Sequence, residues 1–510
     1  MVQRIKKWFH RPTRLESHPT ERARRRNLLP SSSSYFHRLT EEEERKLAKR
    51  FEGKLLLRRE IPLSDPQFND LLRHQLFTPH PSFIKTIFQT RCKRCNNDKP
   101  SLLASFPCAK CCRTHLYCRN CIMMGRVSEC EVLYEWNGIR YQWPTLLNAC
   151  TWKGVLTPAQ EKAANLVKKA IADKSEMLVW AVAGAGKTEI LFPGIELALS
   201  RGARICIATP RSDVVRELYP RIGQAFKNVE VEALYGKKKN KDGTAQIIIA
   251  TTHQLLRFNE AFDVMIIDEI DAFPYHKDRS LAFATNRAAK KASAKIYLTA
   301  TPRGDLKQKI RRKQLPHCFI PIRYHGHPLP EPKLVADFSL SKRLTNKQLP
   351  KSFIRWLDQR ERKTRQLLIF VPTIQLAEQL KVETAAVLLL KKLIKDESEV
   401  AFAHAEDELR EEKVRQFRQR NIYCLLTTTI LERGVTFPSV DVVVLQANHD
   451  VFDEAALVQI SGRAGRAKDD PDGEVIFIHD GKTEALVDAV HAIKKMNLRA
   501  KTFYTKESER

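Results

Sequence analysis

The sequence lacks the features that would place it inside a membrane or outside the cell. No stretch of its 510 residues approaches the roughly 18–20 uninterrupted apolar residues of a membrane-spanning helix. The basic N-terminus, MVQRIKKWFHRPTR, is not followed by the apolar core of a secretory signal, and no short internal repeat is evident. We therefore expect a cytoplasmic protein, whose only route to the inner face of the cell membrane would be through partners.

Acidic residues are scarce beside basic ones. Lys and Arg number 88 against 59 Asp and Glu, which gives a formal net charge of +29. Because each phosphate neutralised by Lys or Arg releases condensed counterions, this excess favours a polyanionic partner such as nucleic acid. Residues 1–88 are predicted to be a basic, partly disordered region, in which Thr40 and the glutamates after it predict a capped helix reaching about Leu57.

A disulfide framework is not expected, although the chain has 12 cysteines, because no export signal accompanies them. Eight of them fall between Cys92 and Cys130, and six of these form three Cys-x-x-Cys pairs, which are Cys92/Cys95, Cys108/Cys111 and Cys118/Cys121. Two such pairs can hold one tetrahedral Zn²⁺, and the spacing does not select which two. Residues 89–135 are therefore predicted to be a small zinc-binding module. An iron–sulfur cluster, metal-free structural cysteines and a second, incomplete site using Cys108, Cys111 and Cys130 are the alternatives.

Two series of short apolar runs alternate with helical stretches. The first reads EMLVWAV, ARICIAT, AQIIIAT, DVMIID and AKIYLTA, and the second reads QLLIFVPT, EVAFAHA, IYCLLTT, DVVVLQA and EVIFIHD. Such runs are typical of strands buried on both faces of a parallel sheet. The predicted fold is α/β, with two tandem RecA-like parallel-sheet lobes at 145–305 and 336–485 after the zinc-binding module. A linker at 306–335 and a helical tail at 486–510 complete the predicted organisation.

The segment AVAGAGKT at 181–188 lies between a predicted strand and a predicted helix, which is the setting of a phosphate-binding loop. Its glycines allow backbone N–H groups to close around phosphate oxygens. Lys187 would reach the β- and γ-phosphates of ATP, and Thr188 would ligate Mg²⁺. Ala181 replaces the usual first glycine, and a tight turn with an incidental lysine is the plain alternative. The predicted ATP-binding residues of the loop are Ala183, Gly184, Ala185, Gly186, Lys187 and Thr188.

The segment DEID at 268–271 ends a predicted buried strand, so its first two carboxylates are expected at the edge of the sheet beside the phosphate loop. Asp268 would hold Mg²⁺, and Glu269 would position or deprotonate the attacking water. Asp271 would couple the nucleotide site to its surroundings. Thr299 and Thr301 of LTAT would relay hydrogen bonds between that site and the cleft between the lobes.

The segment QISGRAGR at 459–466 places Arg463 and Arg466 three residues apart, and we expect both on one helix face. From the second lobe they would meet the γ-phosphate as arginine fingers, and Gln459 would sense the same phosphate. Gln160 of LTPAQ is a predicted adenine contact. Trp152 would either stack on the base or pack on the lobe.

Several turns that follow strands carry hydroxyls and backbone amides suited to sequence-independent phosphate contacts. An ordinary helix cap is the alternative for each of them. The predicted nucleic-acid contacts are Thr209, Pro210, Arg211, Thr251, Thr252, His253, Thr427, Thr428 and Thr429. Arg433 would turn back toward the nucleotide, and the cysteine-rich module would add the basic residues Lys93, Arg94, Arg113 and Arg119.

The order of these motifs resembles that of the superfamily-two helicases over about residues 150–480. TTHQLLRF, DEIDAFPY and TTILERGVTFP, with cysteines ahead of the motor, are similar to the ComFA family of bacterial competence proteins. This resemblance implies an ATP-dependent translocase or helicase that drives import of transforming single-stranded DNA. It also implies partnership with the competence protein ComFC and the membrane DNA-uptake channel. The zinc ligands that it implies are Cys92, Cys95, Cys118 and Cys121.

Other interpretations share these motifs. A DEAD-box-type RNA helicase, or a replication helicase of the zinc-carrying PriA type, would use the same two lobes. A zinc-dependent DNA-binding adaptor with a vestigial motor is the non-enzymatic alternative, and the intact acidic pair and arginines argue against it. Oligomerisation is left open by the sequence.

Overall fold

The computed structural model of the chain describes residues 39–236 and 242–508. Most of the basic arm expected at the N-terminus therefore lies outside the described residues. Thr40 caps the first helix, α1 (Glu41–Phe51), through a capping box, in which Thr40 N donates to the Glu43 carboxylate at 2.9 Å. The cap is the predicted one, but the helix ends at Phe51 instead of near Leu57, because the residues from Leu55 to Leu57 pair as a strand.

The N-terminal module consists of small antiparallel sheets and two helices. Its elements after α1 are β1 (Leu55–Leu57), α2 (Asp65–Arg73), β2 (Phe77–Pro81), β3 (Phe83–Lys85), β4 (Thr90–Cys92), β5 (Leu103–Cys108), β6 (Arg113–Cys118), β7 (Val127–Ser128) and β8 (Val132–Trp136). The sheets have the orders β1–β8–β2, β3–β4 and β5–β6–β7. Because β2 pairs with β8 over its whole length, the boundary predicted between residues 88 and 89 cuts through one folded unit.

The first lobe is a seven-stranded sheet covered by helices. Its elements are α3 (Pro158–Ala172), β9 (Glu176–Ala181), α4 (Phe192–Leu199), β10 (Ile205–Thr209), α5 (Ser212–Ala225), β11 (Val231–Leu234), β12 (Ile247–Thr251), β13 (Phe262–Ile267), α6 (Arg279–Ala288), β14 (Ala289–Thr299), α7 (Gly304–Arg311) and β15 (His317–Ile320). The strand order is β11–β12–β10–β13–β14–β9–β15, with every neighbouring pair parallel. Every residue of β10 and β12 is buried, as continuous apolar runs predict.

The segment predicted as a linker at 306–335 contains part of this lobe. β15 pairs in parallel with β9, and α7 precedes it, so the sheet of the first lobe extends beyond the predicted boundary at 305. The strand is only four residues long and lies among basic and proline residues, which hid the apolar pattern in the sequence.

The second lobe is a six-stranded sheet. Its elements are β16 (Lys333–Ala336), α8 (Leu340–Thr345), α9 (Lys351–Gln359), β17 (Gln366–Phe370), α10 (Ile374–Leu390), β18 (Val400–Ala403), α11 (Arg410–Arg418), β19 (Cys424–Thr427), β20 (Val440–Leu445), α12 (Glu454–Ser461), β21 (Val475–His479) and α13 (Glu484–Ser508). The strand order is β16–β21–β20–β17–β19–β18, again with every neighbouring pair parallel. Two tandem parallel-sheet lobes confirm the predicted fold class.

The helix at the C-terminal end, α13, is packed against the body of the protein and does not project as a separate tail. Leu486, Ala489 and Ile493 are fully buried in the main apolar cluster. The Arg499 guanidinium lies 5.6 Å from the Trp180 ring and 5.0 Å from the Phe319 ring, both on strands of the first lobe. None of the helices within 39–236 and 242–508 combines the length and apolar composition required of a membrane span.

Candidate active site

The phosphate loop follows β9 and leads through a short 3₁₀ turn into α4. Gly184 and Gly186 have positive φ angles of +82° and +73°. A β-carbon at Gly186 would lie 2.3 Å from Gln160 Nε2, so only glycine fits there without displacing that side chain. Thr188 is buried at the end of the loop. The loop therefore has the backbone shape that lets N–H groups approach phosphate oxygens.

Gln160 holds this loop in place. Its side-chain oxygen accepts from Thr157 N at 2.8 Å, which caps α3, and its Nε2 donates to the Ala185 carbonyl at 2.9 Å. Both ends of the amide are thus engaged with the backbone. Gln160 therefore lines the cleft and positions the phosphate loop, and the adenine contact expected of it stays a prediction.

The acidic pair lies directly across from the loop at the end of β13. Burial raises the pKa of Asp268 to about 6, against the opposing effect of the nearby Lys187 charge. Glu269 adopts a left-handed conformation with φ of +55°, and its buried Oε2 has no hydrogen-bond partner. Carboxylate oxygens are the ligands that a hydrated divalent cation favours, and such a cation would return Asp268 to its charged form.

The two lobes enclose a cleft of about 580 Å³ at the carboxyl ends of their sheets. Every residue predicted for the nucleotide site lines it: Gln160, Ala183, Gly184, Ala185, Gly186, Lys187, Thr188, Asp268, Glu269, Gln459, Arg463 and Arg466. Trp152 also lines the cleft and packs edge-on against Phe192, with ring centroids 5.4 Å apart. Trp152 therefore packs on the first lobe, and its ring also lines the cleft where a nucleotide base would bind.

The two arginines of the second lobe reach the cleft, but not from a helix face as predicted. Helix α12 ends at Ser461, and Gly465 adopts a φ of +60°, so the chain turns before Arg466. Arg463 Nε donates to the Glu432 carbonyl and Arg466 Nε to the Gly462 carbonyl, each at 2.9 Å. Burial lowers the pKa of both guanidinium groups, and each hydrogen bond fixes its side chain through a backbone carbonyl. Two cations held in this way suit a polyanionic ligand.

Asp271 connects the two lobes through buried hydrogen bonds. It accepts from Thr299 Oγ1 at 2.5 Å and Thr301 Oγ1 at 2.6 Å, and it forms an ion pair with Arg433 of the second lobe at 2.6 Å. Burial opposes ionisation of Asp271, but Arg433 and the two hydroxyls outweigh it and hold its pKa at about 2. The relay expected of these residues is thus present as a continuous network, and Arg433 points to Asp271.

The residues predicted to contact nucleic acid divide into buried and half-buried groups. Thr209 and Thr252 are fully buried, and Thr427 is buried as well, with its hydroxyl donating to the Ala403 carbonyl at 2.9 Å. These three side chains do not face solvent, which corrects the surface contacts predicted for them. Arg211 donates to the Thr429 carbonyl across the lobes at 3.1 Å, so its guanidinium joins the lobes. Pro210 and Thr251, at the same strand ends, are buried as well, whereas His253, Thr428 and Thr429 are half-buried.

One wall of the cleft is formed by Arg323, Tyr324 and His325, and the sequence motifs did not predict it. Tyr324 N donates to the Gly184 carbonyl at 2.9 Å, while the buried Arg323 side chain donates to Ala464 at 3.2 Å and Pro471 at 3.0 Å in the second lobe. The only sequence signal was a basic residue between prolines. Its partners are backbone carbonyls, which no residue pattern reveals.

The cysteine-rich module contains a closed group of four thiols: Cys92, Cys95, Cys118 and Cys121. All four are fully buried, and their sulfur atoms lie within 4.8 Å of one another. The thiols face each other and have the spacing that a tetrahedral metal requires, so the group is compatible with zinc. Arg94, predicted to face DNA, is instead fully buried and bonded to Glu60 at 2.7 Å.

Comparisons with known proteins agree with this arrangement of domains. The family model of the competence protein ComFA N-terminal domain matches residues 39–135. That of the type III restriction enzyme res subunit matches 153–304, and that of the helicase conserved C-terminal domain matches 348–468.

Competence protein ComFA of Bacillus subtilis is 44% identical over 443 residues, which cover 87% of this chain and 93% of that protein. The chain belongs to the ComFA family. A second ComFA, from Streptococcus pneumoniae, is 39% identical over 75% of this chain and 86% of its own length.

As a ComFA, the chain is an ATP-hydrolysing helicase or translocase of superfamily two, related to bacterial competence. These comparisons confirm the family resemblance predicted from the motifs. They do not support the alternative interpretation as a non-enzymatic adaptor. The helicase Lhr of Mycobacterium smegmatis, solved bound to single-stranded DNA and AMP-PNP, shares the fold with a TM-score of 0.51 at 17% identity. The likeness covers 67% of this chain and 48% of Lhr. The helicase domains imply a nucleotide with a divalent metal, and the cleft supplies residues suited to both.

Proposed function

We propose that this ComFA is an ATP-dependent single-stranded DNA translocase that drives import of transforming DNA during competence. The observation that carries the proposal is the cleft between the lobes. It presents Lys187 and two carboxylates from one lobe opposite the buried Arg463 and the half-buried Arg466 from the other. A site that is complete only when both lobes meet can link hydrolysis to movement of one lobe against the other.

Each group in the cleft has a role in this proposal. Lys187 and the loop N–H groups bind the β- and γ-phosphates, and Thr188 and Asp268 hold Mg²⁺, which neutralises phosphate charge when bound. Glu269 orients the attacking water and accepts its proton. Arg463 and Arg466 stabilise the charge that develops on the γ-phosphoryl group, and Gln459 contacts the same group. Gln160 and Trp152 border the base.

The coupling to DNA runs through the strand ends that meet at the same cleft. Asp271 and Arg433 hold the lobes together in the closed arrangement. Closure brings the backbone amides and half-buried side chains of the turns after β10, β12 and β19 against one strand. Because phosphate contacts of this kind carry no base information, the motor would accept any DNA sequence.

The four buried thiols would hold one structural Zn²⁺. The metal would stabilise a module with small sheets and a limited core, as closed four-cysteine sites do. Docking of this module on the first lobe would keep it rigidly attached to the motor. The family implies ComFC and the DNA-uptake channel as partners, and through them attachment to the inner face of the membrane. Self-association is the remaining open part of the proposal.

The test is ATP hydrolysis with and without single-stranded DNA in the wild type and in Lys187→Ala. We expect DNA to stimulate the wild type, and we expect the variant to lose at least about a hundredfold in kcat while binding DNA with unchanged affinity, because the lysine stabilises phosphate charge. Lys153→Ala, an exposed lysine ahead of the lobe, is the matched control.

Undiminished turnover in Lys187→Ala would contradict the assignment of the site. Stimulation by RNA at matched salt and equal to that by single-stranded DNA would instead favour the DEAD-box-type interpretation. Displacement of streptavidin from a biotinylated end of single-stranded DNA, with ATP and not with a non-hydrolysable analogue, would show translocation itself.

A further inference from the structure

A second set of metal-binding side chains lies at the tip of the hairpin formed by β5 and β6. Cys108 ends β5, Cys111 follows in the turn, His115 lies on β6, and Cys130 lies in the link between β7 and β8. The Cys111 sulfur is 2.9 Å from His115 Nε2, Cys108 lies in the same turn as Cys111, and the chain leading to Cys130 runs beside β6, where Glu129 N donates to the Leu116 carbonyl. Three thiols and an imidazole therefore converge outside the four-cysteine group.

The turn that carries two of these thiols repeats the turn of the buried group. In the buried group, Asn96 N donates to the Cys92 carbonyl at 2.9 Å, and Asn96 has a φ of +60°. In the hairpin, Cys112 N donates to the Cys108 carbonyl at 2.8 Å, and Cys112 has a φ of +54°. Such positive φ angles are uncommon for residues other than glycine. The backbone thus adopts one and the same Cys-x-x-Cys turn at both places.

The histidine is also oriented as a metal ligand would be. His115 Nε2 faces the thiols, while Nδ1 lies 4.0 Å from Glu129 Oε2. Glu129 is itself fixed, because Oε2 accepts from Leu116 N at 2.6 Å. A carboxylate behind the second ring nitrogen is the usual support of a histidine bound to zinc, since it orients the ring.

We propose that Cys108, Cys111, His115 and Cys130 form a second zinc site, with the Cys₃His ligand set of structural zinc. Within the described residues, only the buried thiols form a group whose ligand atoms lie within 4.8 Å of one another. The second site therefore closes by side-chain rotation when the metal binds. It ties the hairpin tip to the chain before β8. Because Cys111 and Cys130 are exposed, its metal exchanges faster than that of the buried site.

The test is the zinc content of the full-length chain, measured by elemental analysis after purification without chelator. We expect about two zinc ions per chain in the wild type, and about one in Cys108→Ser and in His115→Ala. Cys112→Ser is the matched control, because Cys112 is exposed in the same turn but points its sulfur toward the Ala109 carbonyl, and it should retain both.

A weak chelator applied to the wild type gives a second readout that does not depend on the folding of any variant. We expect release of one zinc in a fast phase and of the other in a slow phase. A single zinc per wild-type chain overturns the proposal, as does unchanged zinc in both Cys108→Ser and His115→Ala. A Cys108–Cys111 disulfide in the purified chain, detected by mass spectrometry together with a single zinc, also overturns it.

Discussion

At the scale of single residues, the ion pair between Asp271 and Arg433 holds the closed arrangement together. Both groups are buried, Arg433 donates to Asp271 through Nη2, and Arg433 Nη1 has no hydrogen-bond partner. Removing one charge of a buried pair leaves the other uncompensated, which typically costs about 3–5 kcal/mol. That cost is large compared with the few kcal/mol that separate open and closed states of ordinary two-lobed enzymes.

We therefore predict that Asp271→Asn opens the cleft. The amide keeps the size and one acceptor oxygen for a threonine hydroxyl, but it loses the charge and the second acceptor oxygen. We expect kcat to fall by about tenfold or more, because each 1.4 kcal/mol by which the closed state is destabilised lowers the rate tenfold. The radius of gyration in the presence of an ATP analogue should stay at its nucleotide-free value. Lys46→Gln, in an exposed ion pair on α1, is the control. Nucleotide-driven compaction that persists in Asp271→Asn would contradict this role.

A second prediction at this scale concerns pH and the buried Lys54. Its ammonium donates to the Arg50 and Asp242 carbonyls, and burial, with a smaller contribution from the Arg204 charge, lowers its pKa from 10.5 to about 7. Between these values the unfolded chain binds more protons than the folded chain, so this group makes stability rise with pH across that window. Below a pH of about 7, Lys54 is protonated in both the folded and the unfolded chain, so folding carries the full cost of burying its charge.

Lys54→Met should remove that dependence. We expect the melting temperature of the variant, relative to wild type, to be highest near pH 7 and to decline steadily toward pH 10. Lys46→Met, at an exposed lysine on the neighbouring helix α1, should follow the wild type throughout. A difference between Lys54→Met and wild type that does not change with pH would refute the assigned cause.

At the scale of elements, one arginine of α6 attaches the N-terminal module to the first lobe. Arg287 donates to the Arg94 carbonyl at 2.6 Å and to the Lys93 carbonyl at 3.1 Å, inside the first Cys-x-x-Cys turn. It also donates to the Leu256 carbonyl at 2.7 Å on its own lobe. The thiol group and the lobe therefore share one hydrogen-bonding side chain and one apolar cluster.

We predict that Arg287→Ala uncouples the module without releasing its metal. Hydrogen bonds from a charged group contribute about 1.5–3 kcal/mol each, so amide exchange in 90–135 should accelerate at least tenfold while zinc content stays constant. Arg279→Ala, exposed at the start of the same helix, should leave exchange unchanged. Equal exchange in both variants would mean that the other contacts attach the module without Arg287, namely the apolar cluster and the polar bonds such as Arg94 to the Leu256 carbonyl.

The elements that sequence reasoning predicted are those whose residue types the chemistry dictates. Phosphate binding requires glycines and a lysine after a buried strand, and water activation requires carboxylates at a strand end. The phosphate loop and DEID could therefore be located from the amino-acid sequence alone. β15 could not, because a histidine and three apolar residues among prolines carry no periodicity. The burial of Thr427 depends on the neighbouring strand β18, and the role of Arg323 depends on carbonyls from the other lobe. Such features arise only once the chain has folded.

At the scale of the whole molecule, the lobes form one nucleotide site from two halves. Neither half holds enough charge to neutralise a triphosphate alone, because Lys187 lies on one lobe and the arginine pair on the other. Hydrolysis would therefore require closure, and loss of the γ-phosphate would weaken it. The basic character of the chain, at a net charge of +29, would keep DNA bound while the lobes part.

The most direct measurement of this account is single-turnover ATP hydrolysis by Arg463→Ala in saturating single-stranded DNA, together with the affinity for a fluorescent ATP analogue. The account predicts that the hydrolysis rate falls by about a thousandfold, the scale of a lost arginine finger, while affinity changes only a few-fold. Arg415→Ala, exposed on α11 of the same lobe, should match the wild type. A hydrolysis rate for Arg463→Ala close to that of the wild type would show that the second lobe does not act on the γ-phosphate.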